Sequence, residues 1–211
     1  MATQTERRHA TVAAIEMAAK ALFEAHGFSA TTIDAIVGKA GVAKGAFYHH
    51  FASKEAIFER VLDSTLKSLA REVMASARPE DSPTDRLVRG LRVYMQTCGR
   101  PGTRQVVLVD GPATLGWAKW RRLDEKHFGS MTQHTVMAAL GPHARPAEVL
   151  ALTTLISGAF AEAALASAAG TDPRLSSRHL ADAMTLLLTG LRTPTGQQPK
   201  RGGSAKVART K

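Results

Sequence analysis

Residues 31–62 read TTIDAIVGKAGVAKGAFYHHFASKEAIFERVL, and the order of caps, glycines and apolar residues in this stretch decides the fold. Thr31-Thr32-Ile33-Asp34 sets a hydroxyl pair ahead of an acid three residues after the first, the pattern of a capping box, and predicts a short helix up to Ala40. Ile33, Ile36 and Val37 form its buried face. Gly41 can turn the chain and Val42 can plug the gap between two helices. A third short helix, from about Ala43 to His49, then packs back through Phe47. Two short helices joined by a few residues including glycine make a helix-turn-helix. Ser53 is a good N-cap for a long fourth helix, whose Ile57, Val61, Leu62, Leu66, Leu69 and Val73 repeat at helical spacing to about Ala77.

Working outward, a first helix is predicted from about Glu6 to His26, with Val12, Ile15, Ala18, Ala19, Leu22 and Phe23 on one face and Gly27 ending it. Pro79 and Pro83 mark the boundary after the fourth helix. Further helices are predicted at about 84–98, 103–110, 117–140, 146–169 and 176–192, broken by GRPG at 99, DGP at 110, GPHARP at 141 and GTDP at 170. No strand alternation competes, so the fold class is all-α. The units are residues 1–52, residues 53–193 with 53–77 as a connecting helix, and a tail over 194–211.

The 211 residues are 44% hydrophobic with a single cysteine, Cys98. An internal disulfide is excluded, and a reducing compartment, by default the cytoplasm, is expected. The N-terminal apolar residues are spaced helically and lack the uninterrupted core of a signal peptide. Residues 150–169 are long enough to cross a bilayer, but Glu162 and several hydroxyls favour a buried helix and no membrane partner. The net charge of +10 is unevenly spread: the last eighteen residues carry five Lys or Arg and no acid. That tail cannot bury enough surface to fold, so it is expected to be disordered, as a solvated end or a nonspecific phosphate-binding arm.

The segment AGVAKGAFYHHFASKEAI followed by a long helix resembles the N-terminal DNA-binding domain of the TetR family of transcriptional regulators over about residues 10–62. The resemblance implies an all-α homodimer, a recognition helix in the major groove, and a variable C-terminal domain that binds a small-molecule effector and dimerises. It also implies double-stranded DNA as a partner, and a two-fold dimer predicts a pseudo-palindromic operator.

The residues suit that role. Ala43, Gly45 and Ala46 allow close approach to DNA, and an alanine methyl can meet a thymine methyl. Lys44 can reach a guanine edge or a phosphate. Tyr48 can place its hydroxyl on a phosphate, as the matching tyrosine of similar proteins does. His49 and His50 either face the duplex or pack, and Phe47 and Phe51 belong to the core. Thr32 and Lys54 sit at helix N-termini, where amides and the macrodipole favour a phosphate. Many relatives have Ser or Thr where this chain has Ala43, so the recognition helix lacks a side-chain cap.

In the C-terminal part Tyr94, Cys98, Trp117, Trp120 and His134 are assigned to a ligand pocket, because polar-aromatic residues concentrate there. DGPATLGWAKWRRLD resembles a segment of some TetR-like regulators and places a helix joint beside two indoles. Eight histidines are too scattered for a metal set, and no metal or cofactor is assigned. No nucleophile–base pair, paired carboxylates or phosphate loop points to an enzyme. Leu152, Leu155, Ile156, Ala159, Phe160 and Ala163, with Leu180, Ala183, Leu187 and Leu191, form two apolar stripes suited to a four-helix dimer interface. The reading is a repressor released from its operator by a small molecule; the alternative is a ligand-independent or architectural DNA-binding protein on the same fold.

Overall fold

Thr3 opens the first helix: its hydroxyl accepts from the Glu6 amide while the Glu6 carboxylate accepts from the Thr3 amide. In the computed structural model, which describes residues 3–169 and 176–190, this helix, α1, runs Gln4–Ala30. Its helical dihedrals break at Gly27, whose φ of 77° suits glycine, and one further turn follows. The break sits where the sequence placed the stop.

Helix α2 spans Ile33–Ala40 and α3 spans Lys44–His50. The predicted cap of α2 is shifted by one residue. Thr32, not Thr31, accepts from the Ala35 amide at 3.1 Å, while Thr31 is buried and donates its hydroxyl to the Gly27 carbonyl at 2.8 Å. Gly41 ends α2 in the left-handed region at φ 66°. Ala43 is the N-cap of α3 and supplies no side-chain hydrogen bond. Ser53 accepts from the Ala56 amide and opens α4, Lys54–Ser76.

The small N-terminal core is aromatic at one end. Phe58 meets Phe23 edge-on at 5.2 Å and Phe28 at 5.1 Å between ring centroids, and Ile15, Ile36, Phe47 and Leu62 are fully buried with them. Helix α4 then continues as a shared spine, packing on α1 at one end and on later helices at the other.

Those later helices are α5 (Pro83–Cys98), α6 (Pro101–Arg104), a π-helical segment (Gln105–Asp110), α7 (Gly111–Leu115), α8 (Trp117–Leu140), α9 (Pro146–Ala169) and α10 (Ser177–Gly190). The predicted break at DGP is absent. Pro112 falls in the first turn of α7, where no amide donor is needed, and the chain turns at Gly116 instead. The π turn has a partner: the Trp120 indole donates to the Val107 carbonyl at 2.7 Å.

The inward face of α8 repeats every four residues through Trp120, Asp124, Phe128, Thr132 and Val136. Lys119 to Glu59 at 2.6 Å, with Lys126 and His127 to Asp63 at 2.8 and 2.7 Å, strap α8 to α4.

The apolar stripes on α9 and α10 divide differently from the prediction. Ile156 and Ala163 face inward, while Leu155 and Leu187 lie outside with Leu150 and Leu186. In an almost wholly apolar helix, side-chain spacing alone cannot say which face meets the core. Leu191 and the tail over 194–211 lie outside the described residues.

Candidate nucleic-acid interface and C-terminal cavity

Helix α3 presents one face outward. Ala43, Lys44, Gly45, Tyr48 and His49 are exposed, Ala46 and His50 are half-buried, and Phe47 turns into the core. A Cβ placed on Gly45 would meet nothing within 4 Å. The fold itself therefore has no need of glycine there, although glycine inside a helix costs about 1 kcal/mol relative to alanine. A smooth outer surface is what the residue provides.

The Lys44 ammonium lies 2.8 Å from the Asp34 carboxylate, which raises its pKa. Pairs this exposed are weak and easily exchanged, so Asp34 parks the lysine without committing it. Tyr48 is 51% exposed and leans edge-on against Phe47. The His49 and His50 rings meet edge-on at 5.0 Å between centroids, and partial burial, then His49 and Arg8, hold the His50 pKa below its ordinary value. His50 thus meets neutral pH as an uncharged imidazole. The closeness of Arg8, near the start of α1, comes from packing and has no signal in the local sequence.

Thr32 is exposed at the start of α2 beside this face. Lys54 differs from its predicted role. Its ammonium donates to the Phe28 and Thr31 carbonyls, each at 2.9 Å, and sits 4.2 Å above the Phe28 ring. It caps the end of α1, using two of its three donors inside the protein.

From the other side the Asp110 carboxylate accepts from the Phe28 amide at 2.7 Å and from Gln105 at 3.0 Å. One turn of α1 is thereby held by α4 and by the π segment together.

The five residues assigned to a ligand pocket do not come together as one. Trp117 is 63% exposed and His134 is exposed. Trp120 is buried against the π segment, and Tyr94 and Cys98 are buried beside each other in the core. Burial pushes the Cys98 thiol up to about 12, against a hydrogen bond from Tyr94, which leaves it inert as a thiol at neutral pH. One cavity among the described residues opens elsewhere, between α4, α5, α8 and α9. It encloses about 230 Å³ and is lined by Val73, Leu87, Met131, Thr132 and Phe160, with Arg86 contributing the charge. Aromatic content drew the sequence reading toward the indoles, whereas the hollow forms where small and β-branched side chains leave space.

Asp124 is buried next to this core. Burial pushes its carboxyl up to about 6, opposed by Arg121 at 3.2 Å and reinforced by Glu125. A carboxyl whose folded pKa exceeds its free value of 3.8 binds protons more tightly in the fold. Its contribution is therefore most favourable below about pH 4 and is lost as pH rises through 6. Asp124→Asn should remove that loss, because Arg121 keeps Glu125 as a partner at 3.3 Å. In urea titrations the variant should gain about 1–3 kcal/mol over the native chain at pH 7.5 and far less at pH 4.5; a variant equally destabilised at both would mean that the ion pair is structural.

Comparison with known families places these features. Residues 15–61 match the model of bacterial regulatory proteins of the tetR family, and residues 84–191 match a tetracyclin repressor-like C-terminal domain. The chain belongs to the TetR family. As a TetR-family transcriptional regulator it is 34% identical over 111 residues to the A-factor receptor protein of Streptomyces griseus, covering 49% of this chain and 37% of that one. It is 37% identical over 73 residues to the transcriptional repressor KstR2 of Rhodococcus jostii, covering 33% of this chain and 36% of that one. The match thus spans little more than a third of each relative. A TetR-family regulator from Pectobacterium atrosepticum superposes with a TM-score of 0.71 at 26% identity, over 90% of this chain and 97% of that one. RolR crystallised with resorcinol shares the fold, with a TM-score of 0.68 at 17% identity over 90% and 94% of the two chains.

Proposed function

We propose that this TetR-family chain is a dimeric repressor that binds a pseudo-palindromic operator through α3 and releases it when a small molecule fills the C-terminal cavity. The observation that carries the DNA-reading role is the outer face of α3: small residues at its start, a glycine that the fold does not use, a parked lysine and an outward tyrosine. Lys44 and Tyr48 contact the duplex, Ala43, Gly45 and Ala46 let the backbone approach, and Thr32 and His49 border the contact. Half-buried His50, its pKa held down, contributes an uncharged hydrogen bond at most.

Effector response follows from where the cavity lies. Val73 belongs to the last part of α4, and the same helix carries Lys54, which holds the end of α1 beside the helix-turn-helix. A ligand wedged at Val73 favours one placement of α4 over another, and it shifts DNA affinity only by its differential affinity for the two placements. RolR, on the same fold, was crystallised with a small aromatic ligand, which supports a cavity-based response here.

Selection of duplexes from sheared genomic DNA at about 0.15 M salt, where purely phosphate-driven binding is already weak, tests the reading. A short two-fold-symmetric site should be enriched. Lys44→Ala with Tyr48→Phe should weaken binding to it roughly 10–100-fold, with thermal stability unchanged because both side chains are exposed. Uniform recovery of all sequences would instead establish an architectural binder and end the repressor reading.

A further inference from the structure

We infer that the C-terminal cavity takes a small monocarboxylic acid: an apolar body of a few carbons or one ring carrying a single carboxylate. This rests on the ligand-responsive reading above and names the class of the ligand.

Size comes first. At about 230 Å³ the cavity lies below the roughly 300–1,000 Å³ of drug-sized sites and suits an occupant of about eight to twelve non-hydrogen atoms. Gly90 helps to hold this space open; a Cβ there would stand 3.2 Å from a methyl of Val73. Val73, Leu87, Met131 and Phe160 offer the body of such a molecule only apolar contact.

Polarity comes next, from two groups that the protein leaves unengaged. Helix α5 carries three arginines on successive turns. Arg89 is held by Asp81 at 2.8 Å and Arg92 by Asp182 at 3.4 Å, whereas Arg86, on the cavity, pairs with no acid among the described residues. Thr132 is only 6% exposed, yet its hydroxyl hydrogen-bonds to no other described residue and lies in the cavity lining. Its neighbour Thr135 shows the usual alternative, donating to the Met131 carbonyl at 2.9 Å. The hydroxyl is not sealed in but opens onto the cavity, where it stands uncommitted as a donor to an occupant. A guanidinium and a hydroxyl over an apolar floor match a carboxylate, which accepts from both, better than an ammonium, which accepts from neither.

The test uses the full chain, benzoate and hexanoate, and their neutral isosteres benzamide and hexanamide, with calorimetry and thermal shift as readouts. The acids should bind at least about tenfold more tightly than the amides. Arg86→Gln, an exposed change that leaves the fold intact, should reduce that preference to within about twofold, and Thr132→Val should weaken acid binding about three- to tenfold. Amides that bind the native chain as well as the acids do, or a preference that survives Arg86→Gln, would overturn the carboxylate assignment. Failure of both acids to bind at millimolar concentration would overturn it too. Acids that bind with the expected preference but leave operator affinity unchanged would support the assignment while overturning effector-driven release.

Discussion

Trp120→Ala should lower the stability of the chain by about 3–5 kcal/mol, enough to move the thermal midpoint down by roughly 10–15 °C. The side chain is among the largest that are fully buried, and it serves two purposes. Its ring fills the space beside Gly111, where a Cβ would stand only 2.7 Å from the indole, and its N–H satisfies the Val107 carbonyl in the π turn. Removing it leaves a void and takes the indole donor away from the Val107 carbonyl. Trp120→Phe separates the two effects, since it restores most of the volume but no donor, and should cost about 1–3 kcal/mol. Urea unfolding at one fixed protein concentration measures both variants. A loss below about 1 kcal/mol for Trp120→Ala would mean that the π segment is not held from α8.

The consequence is not confined to packing. Asp110, the last residue of the π segment, accepts from the Phe28 amide at the end of α1. Phe28 O and Thr31 O in turn hold Lys54 of α4. Trp120 therefore anchors one side of a clamp on the end of α1, beside the helix-turn-helix. The sequence reading placed this indole in a ligand pocket; the structure puts it at the junction between the two parts of the chain.

What was legible in the sequence, and what was not, follows from the range of the forces involved. The helix-turn-helix could be read because its determinants are local: Gly41 must turn, Ser53 must cap, and Phe47 must point inward at a fixed distance from both. The start of α1 was equally local, written in Thr3 and Glu6, although the expected start at Glu6 passed over that capping box. Lys54 was misread because its partners lie 23 and 26 residues away, at carbonyls that become acceptors only when α1 ends beside α4. The cavity was misplaced for a related reason. A hollow is a property of four helices together, and no single segment records that Gly90 faces Val73. The outer face of α9 was ambiguous because apolar residues surround that helix on all sides.

That outer face supports the second large effect: Leu155→Lys with Leu187→Lys should give a folded monomer whose operator affinity falls by about a thousandfold or more. Leu150, Leu155, Leu186 and Leu187 are each between 64% and 76% exposed on two helices that pack against each other. Gly158, where an added Cβ would meet nothing, and exposed Ala183 lower the surface between them so that another helix pair can come close. Exposed leucines concentrated in this way mark an interaction surface. In the proposed dimer the same pair of helices would meet itself across a two-fold axis as a four-helix bundle, and each substitution would be felt twice. Burying one leucine contributes about 1.5–3 kcal/mol, so two charged replacements per subunit exceed what a dimer of ordinary affinity can absorb. Neither leucine supports the subunit's own core, so circular dichroism should report unchanged helix content while light scattering reports half the mass. A monomer reaches only one half-site, which moves binding from the specific range of about 10⁻⁸–10⁻¹¹ M toward the nonspecific range of about 10⁻⁴–10⁻⁶ M. A variant that remains dimeric would place the two-fold axis on another face, and a monomer that still binds the operator tightly would remove symmetry from the recognition mechanism.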